Sequence, residues 1–168
     1  IVYINYHILE LYGIIIFPHF DRSSSFYYDR VCLMDFVENI GDRLNLRVFE
    51  CGGVTEMCDR LSTLKEIYGK ASFAIIGGHG NPYAIALGDN YHDGWLSAGI
   101  LRKQRNLFKA YFKDDSTMVL FSCSTGKEGG VAQIISEQGF EILAPNEDTS
   151  PAKIYVNFQG GRSNFDVR

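Results

Sequence analysis

The segment Phe73-Ala-Ile-Ile-Gly-Gly-His79-Gly80 decides the fold, and Met118-Val-Leu-Phe-Ser-Cys123-Ser-Thr-Gly126 repeats its plan further along the chain. Each segment is a short apolar run that ends in small residues, with one reactive side chain at the exit. Such runs, bounded by Gly and Ser, indicate buried strands of a parallel sheet. Ligands of parallel sheets bind beyond the carboxyl ends of the strands. We therefore expect the imidazole of His79 and the thiol of Cys123 to face one crevice.

The rest of the chain alternates between strand and helix patterns, which predicts an α/β fold. Further strands are predicted at Gly13–Phe17, Arg47–Cys51, Glu141–Ala144 and Lys153–Phe158, with a looser candidate in residues 1–12. Apolar residues at helical spacing predict helices around Leu33–Leu44, Met57–Tyr68 (ended by Gly69), Ile100–Phe112 (capped by Ser97) and Val131–Ile135 (ended by Gly139). We expect one domain over residues 1–168, with a mainly parallel central sheet sandwiched between helices.

An antiparallel excursion and one turn complete the predicted order of elements. The segment from Tyr83 to Gly88 predicts a small antiparallel excursion after the His79 strand. Asp114-Asp115 predicts an acidic turn just before the Cys123 strand.

Composition restricts the classes of function. The 168 residues are 46% hydrophobic and 21% charged, as in ordinary globular proteins. The net charge of −4 gives no electrostatic reason to expect a nucleic-acid partner. The apolar opening, Ile1 to Phe17, contains His7 and Glu10 and lacks a basic leader, so we expect neither a signal peptide nor a membrane span. Because the chain starts without methionine, we expect it to belong to a longer protein with a fused or regulatory domain.

The cysteines indicate a reducing compartment. Cys32, Cys51, Cys58 and Cys123 have neither metal-type spacing nor the density of a disulfide scaffold. We therefore expect a cytoplasmic protein, with no cofactor and no metal.

A thiol and an imidazole at neighbouring strand ends point to acyl-transfer chemistry. The thiolate is the nucleophile, and the imidazole takes its proton and later protonates the leaving amine. Backbone N–H groups of Gly80 and of Cys123 itself are the candidate oxyanion donors. Taken singly, Cys123 would more simply be a small buried hydrophobe and His79 a polar loop residue. Their joint position at consecutive strand ends favours catalysis.

Several other motifs are absent from the sequence. A phosphatase C-x5-R loop would need arginine where Gly129 stands, and a Walker A loop would need glycine where Phe121 stands. The serine elbow G-x-S-x-G and the dinucleotide fingerprint are also missing.

The motifs around His79 and Cys123 resemble those of the caspase-like (clan CD) cysteine peptidases. That group includes caspases, metacaspases, gingipains, separase and the bacterial CHAT-domain proteases. His79 precedes Cys123 by 44 residues, from position 79 to position 123, which suits the group. Asp93-Gly-Trp-Leu-Ser97 is similar to the "d-G-x-L-s/t" helix start of the CHAT and gingipain-like branch. The resemblance spans roughly residues 13–158 and implies a caspase-like fold and a thiol protease that hydrolyses protein or peptide substrates.

The resemblance does not extend to substrate preference. The caspase pentapeptide Gln-Ala-Cys-x-Gly is absent, and Phe121 stands where metacaspase-like members carry aspartate. Candidate substrate-binding charges come from loops at the same sheet edge: Asp21 and Arg22 after the first strand, and Glu147 and Asp148 after the fifth. We expect a neutral or basic residue before the scissile bond.

Two alternatives stay open at this point. One is a caspase-like domain that has lost catalysis and serves as a binding or scaffold module. The other is a flavodoxin-like domain that binds a small molecule or phosphate through the loop Gly77–Gly80.

Overall fold

The computed structural model describes residues 12–21 and 45–148, and the backbone of 156–159 and 164–167. The elements run in the order β1 (Tyr12–Pro18), β2 (Asn45–Cys51), α1 (Val54–Tyr68), β3 (Ala71–Gly77), β4 (Gly80–Asn81), β5 (Ala84–Ala86), β6 (Trp95–Ser97), α2 (Ala98–Lys103), β7 (Phe112–Phe121), α3 (Val131–Ser136), β8 (Glu141–Leu143), β9 (Val156–Gln159) and β10 (Asn164–Val167).

The central sheet contains five strands in the spatial order β2-β1-β3-β7-β8. Every neighbouring pair is parallel. All the carboxyl ends of these strands therefore lie at one edge, where parallel α/β sheets bind their ligands. The α/β class with a parallel central sheet, predicted from the sequence, is confirmed.

Both faces of the central strands are buried, which explains why these strands read as unbroken apolar runs rather than alternating ones. One face packs against the three helices. Its contacts join Ile14, Ile16, Ala74, Ile76, Met118 and Leu120 with Met57, Leu61, Val131 and Ile135. The opposite face is equally enclosed, with side chains of Ile15, Phe73, Ile75 and Val119 at most 1% exposed. Burial on both faces is what a three-layer sandwich requires.

Most of the predicted elements within the described residues are confirmed. The strands at Gly13–Phe17, Arg47–Cys51 and Glu141–Ala144 form β1, β2 and β8, and α1 ends at Gly69, whose φ is +78°. The antiparallel excursion is also present, as a three-stranded sheet of β4, β5 and β6. Ser97 caps α2 by accepting a hydrogen bond from the Ile100 N–H at 3.2 Å. The predictions for residues 1–11 and for the helix around Leu33–Leu44 lie outside the described residues.

Three predicted details differ from the structure. The helix that begins after Ser97 ends at Lys103, and the apolar residues beyond it belong to a short 3₁₀ turn, Phe108–Ala110, and to β7. Asp114 and Asp115 are exposed positions within β7 rather than a turn. They occupy a bulge, because the register with β3 shifts between Ala71 and Phe73. The last predicted strand forms β9, which pairs with β10 in a separate antiparallel hairpin.

Helix α1 is capped by a residue distant in sequence. Its own N-cap position is Gly53, which has no side chain to accept a hydrogen bond. Asp93 replaces it: its backbone oxygen accepts from the Val54 N–H at 2.8 Å, and its Oδ2 accepts from the Thr55 N–H at 2.7 Å. The hydrogen bonds from Thr55 lower the pKa of the Asp93 carboxyl. Asp93 therefore ties the segment before β6 to the start of α1.

Within the described ranges, no helix combines the length and the apolar character needed to cross a membrane.

We expect Asp93→Ala to destabilise the fold by about 1 kcal/mol at neutral pH, the usual cost of losing an N-cap. A carboxyl whose pKa is lowered in the folded state stabilises above its unfolded pKa of about 4, and this contribution is lost as the pH falls through the folded pKa. The difference from the parent protein should therefore shrink between about pH 7 and about pH 3 in urea unfolding. Asp115→Ala, at an exposed position, is the matched control. Equal costs for the two variants would contradict the capping role.

Candidate active site

His79 and Cys123 occupy equivalent positions beyond two neighbouring strands. The last facing pair of β3 and β7 is Gly77 with Phe121. One further hydrogen bond, from the Gly78 N–H to the Phe121 oxygen at 3.3 Å, carries the pairing past the end of β3. His79 and Cys123 each follow that last pair by two residues. Because parallel strands lie about 4.8 Å apart, the register brings the two residues to adjacent points of the same edge. The close approach of the thiol to the imidazole ring remains a prediction.

Gly80 brings the two strand exits into direct contact. A Cβ atom at this position would overlap the Ser122 hydroxyl, so glycine lets the chain after His79 lie against the residue before Cys123 without a rearrangement. Gly80 also faces Ile85 across β4 and β5. The Ala86 N–H bonds to the His79 oxygen at 2.7 Å, which makes Gly80 and Ile85 a non-hydrogen-bonded pair. The Gly80 N–H therefore points away from β5, as an oxyanion donor would have to.

Asp21 holds the imidazole of His79. Its Oδ1 lies 2.8 Å from His79 Nε2, and its side chain is fully buried, whereas that of His79 is 49% exposed. A buried carboxylate is tolerated only where polar or charged groups compensate it, so this contact restrains the ring. With the proton on Nε2 donated to Asp21, the neutral ring carries its lone pair on Nδ1. Asp21, which we predicted to bind substrate, thus contacts His79, the candidate base.

An aromatic floor supports the strand exits. The Phe17 ring lies over Gly77, where a Cβ atom would overlap with it. The same ring contacts Phe121 edge-on, with centroids 6.4 Å apart. The missing side chain at Gly77 therefore lets an aromatic pair bridge β1 and β7 across β3. This pair lies at the level of Gly77 and Phe121, two residues before His79 and Cys123.

The chain turns sharply directly after Cys123. Ser124 has φ of +57°, a left-handed conformation that non-glycine residues seldom adopt. Two hydrogen bonds that Ser124 donates to the segment after β8 hold it there. The Ser124 N–H donates to the Glu147 oxygen at 3.0 Å, and the Ser124 Oγ donates to Asp148 Oδ1 at 2.9 Å. The turn leaves the Cys123 side chain partly exposed beyond the strand.

The other described cysteines are poor nucleophiles. Burial raises the pKa of the Cys51 thiol to about 12, with a further upward contribution from Glu56. Burial also raises the pKa of Cys58. Because the thiolate is the reactive form, both are suppressed at neutral pH.

A cleft of about 420 Å³ opens beside His79, and we call it the His79 cleft. It lies between the end of β1 and the loop that precedes β6, and its lining includes Phe20, Asp21, His79, Asp89, Tyr91 and Trp95. The order β2-β1-β3 places it where the sheet reverses its direction of growth, which is the usual ligand site of such sheets.

The sequence-predicted site residues fall into two groups. His79, Gly80, Cys123 and Asp21 lie at the carboxyl edge of β1, β3 and β7, whereas Asp148 contacts the turn at Ser124. Arg22 lies outside the described residues. Sequence reasoning missed the hydrogen bonds from Ser124 to Glu147 and Asp148 and the aromatic rim of the His79 cleft. No local motif marks either feature, since their partners come from segments distant in sequence.

Among the described residues, no group of three or more His, Cys, Asp or Glu side chains is arranged to hold a metal ion. No protein-family model matches the chain, and no curated protein matches it significantly.

We expect a thiol-directed electrophile such as iodoacetamide to label Cys123 before Cys51 and Cys58 in the native protein, because the pKa values of the latter two are raised. Peptide mass mapping at increasing times would measure the order. Labelling in urea, where burial is lost, should equalise the three rates. Faster native labelling of Cys51 or Cys58 would contradict the assignment of Cys123 as nucleophile.

We expect Ser124→Ala to cost about 1–2 kcal/mol, because it loses the hydrogen bond to Asp148 and keeps the left-handed strain. Ser124→Gly should cost less, since glycine adopts this conformation readily. Ser122→Ala is the matched control. Its Oγ is buried and finds no hydrogen-bond partner within the described part of the chain, so its loss should change the unfolding free energy little. Equal costs for the two Ser124 variants in urea unfolding would contradict the strain argument.

Proposed function

We propose that this chain is a cysteine endopeptidase of the caspase-like type, in which His79 and Cys123 act as a catalytic dyad. One observation carries the proposal: His79, anchored by the buried carboxylate of Asp21, and Cys123 follow the same facing pair of β3 and β7 by two residues. If Cys123 were a structural cysteine and His79 a solvated loop residue, nothing would require them to occupy matched positions after the same pair. The motif resemblance to clan CD peptidases and the parallel sheet agree with the proposal.

In the proposed mechanism, His79 takes the proton of the Cys123 thiol through Nδ1, while Nε2–H stays on Asp21. The sulfur then attacks the carbonyl carbon of the scissile bond. The oxyanion of the tetrahedral intermediate accepts hydrogen bonds from the backbone N–H groups of Gly80 and Cys123.

The intermediate collapses as the C–N bond breaks, and the leaving amine takes the proton from His79. This leaves an acyl-thioester on Cys123. A water molecule, deprotonated by His79, hydrolyses the thioester and releases the acid and the free thiol. Atoms and charge balance without a cofactor or a metal.

Asp21 acts in this mechanism by positioning His79. Its carboxylate selects the tautomer with hydrogen on Nε2 and stabilises the imidazolium that forms during each proton transfer. From the sequence we predicted that Asp21 binds substrate. In this proposal it orients the base instead. Asp148 supports the turn at Ser124, and a preference for a neutral or basic residue before the scissile bond is retained.

We also place the enzyme in a reducing compartment such as the cytoplasm. Cys51, Cys58 and Cys123 are present as thiols rather than as disulfides, and the proposed nucleophile needs its thiol reduced.

A second candidate is a small-molecule-binding domain without catalysis. The strand order 2-1-3-4-5, counted over the central sheet, is shared with flavodoxin-like domains, whose ligand sits at the β1/β3 switch point. The His79 cleft lies at that point. This candidate assigns no role to Cys123, so dependence of a reaction on Cys123 separates the two.

The test of the peptidase is cleavage of a proteome-derived peptide library, read by mass spectrometry of the new termini. Cys123→Ala and His79→Ala should each abolish cleavage, by at least about 10³-fold, because dyad members act as a unit. Cys58→Ala and His92→Ala are matched controls and should keep the parent activity. The melting temperature of Cys123→Ala should stay close to the parent value, since Cys123 is not buried in the core. His79→Ala should lower it, because the buried carboxylate of Asp21 loses a hydrogen-bond donor.

Asp21 provides an independent test. Asp21→Asn keeps an oxygen acceptor but removes the charge that stabilises the imidazolium, and we expect kcat/KM to fall by about 10²-fold or more. Asp21→Ala should fall at least as far. Full activity in Asp21→Ala would contradict the positioning role, whereas full activity in Cys123→Ala would overturn the peptidase proposal.

A further inference from the structure

The His79 cleft has an aromatic rim that no step of the proposed mechanism uses. Phe20 is 48% exposed, Trp95 is 49% exposed and Tyr91 is 94% exposed, although large apolar side chains usually gain free energy from burial. All three line the same 420 Å³ cleft. Rings held at the edge of a cleft beside a candidate base suggest a binding surface for part of a substrate.

The chemistry at His79 identifies which part of a substrate would reach the cleft. The acyl half of a peptide is held at Cys123 and the oxyanion donors, whereas the leaving amine takes its proton from the imidazole. The chain after the scissile bond must therefore run past His79. Of the two dyad residues, only His79 lines the cleft within the part of the chain that the structure describes. The cleft thus lies on the leaving-group side.

We propose that the His79 cleft binds the side chain of the first substrate residue after the scissile bond, and that this residue is an arginine. The inference rests on the proposed peptidase function and adds a specificity that the motifs do not supply.

The lining favours a flat, cationic side chain. Its described residues include two carboxylates, Asp21 and Asp89, and neither lysine nor arginine. Asp21 is enclosed against His79, which leaves Asp89, 51% exposed, as the carboxylate in reach of a ligand. Its contact with His19 Nε2 is long, at 3.6 Å. A guanidinium can stack on an aromatic ring and pair with a carboxylate at once, while a substrate carboxylate would meet like charge.

The wall that carries these groups is preformed. The loop between β5 and β6 closes on itself through the Leu87 N–H to the Gly94 oxygen at 2.8 Å and the Gly94 N–H to the Asn90 oxygen at 2.9 Å. It is tied to the end of β2 by the Asn90 N–H, which donates to the Gly52 oxygen at 3.1 Å. The backbone that carries Asp89, Tyr91 and Trp95 therefore needs little ordering when a side chain enters.

The experiment uses internally quenched peptides built on a sequence from the library that the enzyme cleaves. Four peptides differ only in the residue after the scissile bond: arginine, citrulline, leucine or aspartate. Citrulline has the shape of arginine without its charge. We expect kcat/KM for arginine to exceed that for citrulline about fivefold, the scale of a half-exposed ion pair with ring stacking, and aspartate to be the poorest.

Variants locate the effect in the cleft. Asp89→Asn should reduce the ratio of kcat/KM for arginine to that for citrulline to near one. Asp115→Asn removes the same charge near the start of β7, far along the strand from Cys123, and should leave this ratio unchanged. Trp95→Leu should lower kcat/KM for arginine and citrulline together, because both stack on the ring.

The outcomes separate the two proposals. Cleavage that depends on Cys123 but is equal for all four peptides, or a ratio that Asp89→Asn does not change, overturns the cleft assignment and leaves the peptidase standing. The absence of any cleavage that depends on Cys123 overturns both.

Discussion

The parallel pairing of β3 with β7 is the constraint on which the candidate site depends. The last facing pair is Gly77 with Phe121, and the positions of His79 and Cys123 follow from that pair. Two residues later on each strand stand the imidazole and the thiol. A shift of one residue in this register would send one of the two side chains to the opposite face. Close packing on both faces opposes such a shift, because buried side chains such as Ile75 and Val119 would have to enter the packing of the other face.

The small residues at the strand ends make this register compatible with close packing. Without a side chain at Gly77, the Phe17 ring can reach Phe121 and close the bottom of the site. Without one at Gly80, the chain after His79 can lie against Ser122. The segment after β8 then holds Ser124 in its left-handed turn. Backbone geometry at the ends of β3 and β7 thus positions two side chains, while Asp21, which follows β1, orients one of them.

The sheet order alone leaves the function open. The order 2-1-3-4-5 is shared with flavodoxin-like domains, and one strand order can serve unrelated functions. What favours a peptidase is the local chemistry: a partly exposed thiol and a restrained imidazole at the exits of two neighbouring strands, with the remaining described thiols suppressed by burial. The aromatic, acidic cleft on the imidazole side then suggests where the leaving half of a substrate would lie.

The sequence by itself was enough to determine the α/β class, the parallel sheet, the identity of β1, β2, β3 and β8, and the two residues that exit β3 and β7. Apolar runs ended by glycine or serine encode these features locally, because burial on both faces demands unbroken apolar side chains. Local periodicity was misleading after Ser97, where apolar residues at helical spacing, such as Leu107 and Phe112, serve a 3₁₀ turn and a strand. Only the tertiary structure decided that Asp21 contacts His79, that Asp93 caps α1, that Asp148 holds Ser124 and that Phe20 and Trp95 border one cleft. Each of these contacts joins residues more than 20 positions apart, and such pairings depend on the path of the whole chain rather than on any pattern that a short stretch of sequence can carry.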